Sequence, residues 1–357
     1  MFKISRSPLI RGFAEAASPK GKTHTHAPGT KHKVVLFPGH GIGPEITSSV
    51  LKIFDALKIP IEWEEHYVQP KVINKEGDLI LPETLDAIKK YRYALKGPFT
   101  TPVGKGYRSI NVTLRKKLNL FANVRPCKTI KGIKSTVYDN VDVVTLRENT
   151  EGEYSGLEHE VVPGVVENLK IITRPACENI AKYAFEYARM LGRKNITCVH
   201  KEGIMVKGDG CFVNTCREYA KKYPEINYSE NQIDTLCLKL VQNPEQLDVM
   251  VMPNLYGDIV SDLCAGLIGG LGLTASGNIG FDCEVYEAVH GSAPDIAGKN
   301  MANPTALLLS ACMMLDAMGH RSEADRIRNS IYKVIQEGKY ITGDIGGKAG
   351  TLEYTKA

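Results

Sequence analysis

The sequence predicts an α/β fold in two lobes, on two observations. Short apolar runs of strand length recur along the chain, and between them lie longer segments whose apolar residues repeat at helical spacing. Such alternation argues for layers of strands and helices. Length and composition agree. A chain of 357 residues suits one large or two medium domains, and 43% hydrophobic with 24% charged residues is ordinary for a globular protein. A core of this size needs neither disulfides nor a structural metal. No internal repeat and no low-complexity linker interrupts the body.

Folded sequence starts near His32. The run 34–37 is a buried strand stopped by Pro38-Gly39. A helix opens at Pro44-Glu45, because proline loses no hydrogen bond at the first helical position and an acid suits the positive end of the helix dipole. Its apolar face is Ile46, Val50, Ile53, Phe54 and Leu57. Further strands are expected at 141–146, 195–199 and 247–252. A helix over 176–192 carries the stripe Ile180, Tyr183, Ala184, Tyr187, Ala188 and Leu191. If 257–268 is helical, Asp258 and Asp262 share one face, four residues apart. Helices over 303–318 and 321–336 follow.

The first 31 residues differ from the rest. Lys3, Arg6, Arg11, Lys20, Lys22 and Lys31 face a single acid, Glu15, and serines are interspersed. That pattern predicts an organellar transit peptide, mitochondrial before plastid, with a disordered basic tail as the alternative. His24 and His26 fall in this segment and are not read as ligands. A net charge of +5 without a basic stripe interleaved with aromatics excludes nucleic acid as a partner. No apolar run is long enough to span a membrane. Nine cysteines without CxxC or zinc-like spacing read as reduced thiols in a reducing compartment.

Gly39-His40-Gly41-Ile42-Gly43 lies between a strand and a helix, with Glu62, Glu64 and Glu65 about 20 residues on, where a dinucleotide fingerprint keeps its ribose-binding acid. The spacing is GxGxG before a proline, not GxGxxG, so a tight turn is the better reading. Lys96-Gly97-Pro98 closes a strand-like segment, and Thr101, Ser109, Asn111, Arg115 and Arg125 follow, with Arg147 further on. Three guanidiniums at one site would suit a ligand with several carboxylates, each fork binding one through two bonds. Taken singly, each is as well read as a solvated surface group. Tyr154 lies in a polar segment after a buried strand and can act as a general acid if a nearby cation lowers its pKa. Lys201 stands just beyond the 195–199 strand, where a lysine can face a cleft. Asp258 and Asp262, with Asp234 as a possible third ligand, are hard oxygen donors suited to Mg²⁺ or Mn²⁺. The alternative is that Asp258 caps its helix and Asp262 is merely exposed. In 287–298, Gly291 and Gly298 allow close approach to a flat ligand. Asp295 can accept both hydroxyls of a ribose and repel a 2′-phosphate, which favours NAD over NADP.

The blocks PGHGIGPE, KGPFTTPVGKGYRSINVTLRKKLNLFANVRP, LRENTEGEYSG, NLYGDIVSDLCAGLIGGLG and EAVHGSAPDIAGKNMANPTALLLSA occur in this order between about Val34 and Gly347. Together they resemble the decarboxylating β-hydroxyacid dehydrogenases, the isocitrate/isopropylmalate dehydrogenase family, and within it the NAD-dependent isocitrate branch on the side of its catalytic (alpha-type) subunits. The resemblance implies that family's two-lobed α/β fold, which is not a Rossmann fold. It implies a large discontinuous lobe from 32–120 and 269–357, and a small lobe with dimer contacts from 121–268. It also implies NAD and Mg²⁺ or Mn²⁺, isocitrate as substrate, homologous subunits in a dimer or larger hetero-oligomer, and the mitochondrial matrix.

By position, Thr101, Ser109, Asn111, Arg115, Arg125 and Arg147 match the substrate-holding residues. Isopropylmalate relatives carry an acidic and apolar segment in place of Ser109-Ile110-Asn111. Tyr154 and Lys201 match the catalytic pair, and Asp234, Asp258 and Asp262 the metal ligands. Lys201 and Asp234 would be lent to a partner's cleft. Ile42, His290, Gly291, Ser292, Ala293, Pro294, Asp295, Ile296 and Asn303 match the cofactor site, with Asp295-Ile296 in the NAD form where NADP relatives place Lys and Tyr. Two positions depart from the pattern: His40 stands where the family usually has Asp, and Gly203 where most relatives have Asn or Thr. The chain stops slightly early for the family, so a last helix is expected to be missing. Two other outcomes stay open: a non-catalytic regulatory subunit, and a dehydrogenase for a related acid such as isopropylmalate or homoisocitrate.

Overall fold

A computed structural model of the chain describes residues 31–68, 79–101, 109–133 and 138–357. The transit-peptide expectation for 1–31 therefore lies, except for Lys31, outside the described residues. The described residues form twelve strands: β1 (His32–Phe37), β2 (Ile61–Glu65), β3 (Tyr93–Lys96), β4 (Ala122–Lys128), β5 (Asp142–Glu148), β6 (Glu158–Val162), β7 (Val165–Asn168), β8 (Asn195–His200), β9 (Asn227–Gln232), β10 (Val249–Met252), β11 (Ala275–Ile279) and β12 (Glu284–Ala288). The helices are α1 (Gly43–Ala56), α2 (Pro82–Tyr91), α3 (Ile110–Lys117), α4 (Arg174–Met190), α5 (Gly208–Ala220), α6 (Ile233–Gln242), α7 (Asn254–Leu267), α8 (Thr305–Ala317), α9 (Arg321–Glu337) and α10 (Thr351–Lys356).

Ten strands form one sheet in the order β2-β1-β3-β12-β11-β4-β5-β10-β8-β9. Both wings are parallel, whereas β11 and β4 run antiparallel to their neighbours in the middle. That order is not the all-parallel doubly wound sheet of a dinucleotide fold, as the family resemblance implies. Inner strands of the parallel wings are covered by helices and read apolar: Val249–Met252 is wholly buried. Residues 32–96 and 275–288 supply one half of the order and residues 122–252 the other, joined where β11 meets β4.

The glycine turn after β1 packs against the 290s loop. Gly41 sits at φ +59°, and a Cβ there would fall 1.9 Å from the Ser292 carbonyl oxygen. Only glycine tolerates both conditions. The expected helix at 257–268 begins earlier, at Asn254, directly after Pro253. Four strands have no strong sequence signal. β9 reads NYSENQ and lies at the sheet edge, so its side chains need no apolar period. β6 and β7 form a separate hairpin exposed at every residue, and β4 carries Pro126. All nine cysteines are free thiols, seven of them buried. Among the described residues no helix is long and apolar enough to cross a membrane.

Candidate active site

The register of the central strands builds the floor of the site. Asn123 lies opposite Arg147 and Arg125 opposite Thr145 across β4 and β5, while β11 places Asn278 opposite Asn123. Alternate strand residues share a face, so Asn123, Arg125 and Arg147 stand on one side of the sheet. Helix α7 packs on that side. At Gly257 a Cβ would fall 2.5 Å from the Arg147 stem, so only glycine lets the helix lie so close. Arg147, 1% exposed, donates from Nε to Asn254 Oδ1 (2.8 Å) and from Nη1 to Asp258 Oδ1, and its buried Nη2 has no partner. Arg125 donates to Asn123 Oδ1 (2.8 Å), Ser261 Oγ (2.5 Å) and Asp262 Oδ1 (3.1 Å), and its Nη2 is 3.6 Å from Asp258 Oδ1. Asp258 and Asp262 thus meet one guanidinium from one helix face. Asp258 lies in the second turn of α7 and does not cap it.

The electrostatics show an excess of cations. Burial, then the charges of Arg115 and Arg125, lower the Arg147 guanidinium to about 10 against the pull of Asp258. Burial and Arg115 lower Arg125 as well. Three guanidiniums that disfavour one another's charge make a site that gains from a bound anion. Burial opposes ionisation of Asp258, but Arg147, the Tyr154 hydroxyl, Arg125 and Arg115 outweigh it and hold the carboxyl below its usual range.

Tyr154 sits in a 3-10 turn, Glu153–Ser155, with its hydroxyl donating to Asp258 Oδ2 and its ring 5.0 Å from the Arg147 guanidinium carbon. The expectation that a cation lowers its pKa is corrected here. Burial, then the hydrogen bond to Asp258 and that carboxylate's charge, raise it and outweigh Arg147. Lys201 follows β8 directly. Its Nζ is 2.8 Å from Asp234 Oδ2 and donates to Gln232 Oε1 (2.9 Å). Asp234 opens α6 with its side chain 66% exposed. Among the described residues no group of three or more His, Cys, Asp and Glu side chains is close enough to hold a metal ion. Asp234 is therefore not brought to Asp258 and Asp262 within one chain.

On the other wing, Thr101 Oγ1 accepts from the Ile110 amide (3.2 Å), and Ser109 caps α3 by accepting from the Val112 amide (3.5 Å). Asn111 Oδ1 and Arg115 Nε are buried without partners. The 290s loop is pinned by the Ile42 amide donating to the Ser292 carbonyl (2.9 Å) and by Thr100 Oγ1 donating to Ser292 Oγ (2.7 Å). The His290 ring meets the Gly291 carbonyl at 3.0 Å through Nδ1, whereas Nε2 is buried and unpartnered. Burial lowers the His290 pKa. Gly291, Pro294 and Asp295 are exposed, Ala293 and Ile296 are half-buried, and Ala293 sits at φ +38°. Asn303 is committed inside the chain: its Oδ1 accepts from Thr305 N (3.0 Å) and Oγ1 (2.6 Å) at the start of α8, and its Nδ2 donates to Asp344 (2.9 Å).

The two departures have structural readings. His40 ties two loops together, with Nδ1 accepting from the Thr100 amide (2.9 Å) and Nε2 facing the Val68 carbonyl (2.7 Å). A Cβ on Gly203 would meet nothing within 4 Å. The sequence reading missed Lys96 and Glu287 as members of the site. Lys96, 2% exposed, is 2.6 Å from Glu287, which also accepts from Asn278 Nδ2 (2.7 Å) and lies 3.6 Å from Arg115. Burial raises the Glu287 pKa, but Lys96 and Arg115 overcome it and bring it to about 2. A lysine ending the strand YALK and a second glutamate inside EVYEA were the available signal.

The family model for isocitrate/isopropylmalate dehydrogenases matches residues 33–357. The chain is 55% identical to isocitrate dehydrogenase [NAD] catalytic subunit 5, mitochondrial, of Arabidopsis thaliana, over 98% of this chain and 91% of that protein. It is 59% identical to the chloroplastic 3-isopropylmalate dehydrogenase of Solanum tuberosum, over 86% of each. The solved isocitrate dehydrogenase of Methylococcus capsulatus is 45% identical and superposes with a TM-score of 0.86, covering 91% of this chain and 97% of that one.

Proposed function

The chain belongs to the isocitrate/isopropylmalate dehydrogenase family, and we propose that it is the catalytic subunit of a mitochondrial NAD-dependent isocitrate dehydrogenase of the tricarboxylic acid cycle. It oxidises isocitrate to 2-oxoglutarate and CO₂ with reduction of NAD. The observation that carries this reading is the meeting of Arg125 and Arg147 over Asp258 and Asp262, with Arg115 close enough to shift both guanidiniums. Isocitrate brings three carboxylates to three guanidiniums. The free Arg147 Nη2 and Arg115 Nε are donors that such a ligand would satisfy.

Asp258 and Asp262 are hard oxygen donors on one face and fit Mg²⁺ or Mn²⁺, completed by the equivalent of Asp234 on a neighbouring subunit. His290, with its unpartnered Nε2, and the exposed Asp295 fit the adenosine of NAD. When bound, the dication supplies a Lewis acid for the substrate hydroxyl and NAD accepts the hydride. The chain's own residues do the rest. Arg115, Arg125 and Arg147 bind and orient the carboxylates. Lys201, acting in a neighbour's cleft, takes the hydroxyl proton. Tyr154 keeps its proton through its bond to Asp258 and delivers it to the carbon that loses CO₂, a role its raised pKa supports. Ser109 and Asn111 favour isocitrate over isopropylmalate.

Two features support partnership with homologous subunits. Val161, Val162, Val165 and Val166 of the β6–β7 hairpin are 50–65% exposed, and the Lys201–Asp234 pair faces outward. The test is NADH formation by the assembled enzyme with isocitrate, isopropylmalate and homoisocitrate in turn, and with NADP in place of NAD. Turnover confined to isocitrate with NAD is expected. Preference for isopropylmalate would overturn the substrate assignment.

A further inference from the structure

Behind the catalytic pair lies a buried ionic network with no part in the chemistry above. Asp209, in the first turn of α5, is fully buried. Its Oδ2 accepts from the Lys201 amide (2.6 Å) and from the Tyr256 hydroxyl (3.1 Å), and its Oδ1 accepts from Lys170 Nζ (2.8 Å). Lys170 Nζ also lies 3.4 Å from Glu153 Oε1 and 4.5 Å from the Tyr256 ring centre. Glu153 precedes Tyr154 in the same short turn.

A buried ion pair is weak evidence for stability, since apolar residues of the same volume often do as well. What this one does specifically is hold the Lys201 amide, and so the direction in which that side chain leaves the end of β8. Its other end grips the turn that carries Tyr154. We infer that Asp209 is the positioning residue of Lys201, and that Lys170 couples this placement to the Tyr154 turn through Glu153. The inference rests on Lys201 and Tyr154 being the catalytic pair. If Lys201 serves a neighbour's cleft and Tyr154 its own, the network joins two active sites through one chain.

The test is a mutant cycle in the assembled full-length enzyme. Asp209→Asn is expected to lower kcat about 30–100-fold with the isocitrate KM within about threefold. In a Lys201→Met background the same substitution is expected to change the residual kcat less than about threefold, because it acts through a group already removed. Lys170→Met is expected to lower kcat about tenfold and Lys170→Arg to keep most of it. Should Asp209→Asn not fold, Tyr256→Phe replaces it, with an expected loss of about 3–10-fold and the same dependence on background. Equal losses in both backgrounds, with Lys201→Met itself strongly impaired but measurable, would overturn this inference alone. Full activity of Lys201→Met would overturn the catalytic reading and this inference with it.

Discussion

The arginine floor and the Lys201–Asp234 pair hold their charges in opposite ways. On the floor, Arg147 is 1% exposed and meets Asn254 and Asp258, while Arg125 meets Asn123, Ser261 and both aspartates, all from the same chain. Folding alone assembles it. The Lys201–Asp234 pair lies nearer solvent, and the segment after β8 and helix α6, which carry its two members, also carry the exposed apolar side chains Ile204, Val206, Leu238 and Val241. The Asp234 side chain is 66% exposed, and Lys201, 26% exposed, is half-covered by its own chain. On the proposed function, the charges that bind a small polyanion are made rigid by burial, whereas those proposed to serve another subunit's cleft stay nearer solvent.

Arg147→Met strikes the floor hardest. It leaves Asp258 without its main cation, so isocitrate turnover is expected to fall at least about 10³-fold, and urea unfolding to register a loss of about 2–3 kcal/mol. Tyr154→Phe separates chemistry from packing on the same floor. Steady-state kinetics is expected to show kcat lower by about 10²–10⁴-fold, with a melting temperature close to that of the unmodified protein. An unchanged rate of decarboxylation would remove Tyr154 from the mechanism.

Acid titration probes the buried side of the comparison. The folded Glu287 titrates at about 2, below its ordinary value of 4.5. A depressed pKa contributes stability in full above the unfolded value, and that contribution is lost as pH falls from about 4.5 toward about 2. Chemical denaturation across that range is expected to show falling stability, with a shallower slope in Glu287→Gln. On the exposed side, Gly203→Asn has open space around it, so stability is expected to move by less than about 0.5 kcal/mol. Differential scanning calorimetry reads this directly.

The same contrast explains what the sequence disclosed. The aspartate pair was legible because four residues on a helix is a local spacing, and the buried strands because both their faces are apolar. Asn123 opposite Arg147 was not, since register between distant strands leaves no local pattern. Lys96 and Glu287 meet across a long stretch of chain, and each looks alone like a polar strand end. The hairpin β6–β7 has no buried face within this chain, and edge strand β9 turns only Tyr228 and Glu230 partly inward in its first four residues, so no apolar period of two marks them. The role of His40 as a tie between loops depends on Thr100 and Val68, which only the fold brings to it.

The central claim is that this chain holds a working catalytic floor rather than a regulatory copy of one. The most direct measurement is NADH formation from isocitrate by the assembled enzyme in which this chain alone carries Asp258→Asn. A loss of at least about 10³-fold is expected, with assembly and melting temperature preserved. A rate within threefold of the unmodified enzyme would contradict it and place the chemistry in another subunit.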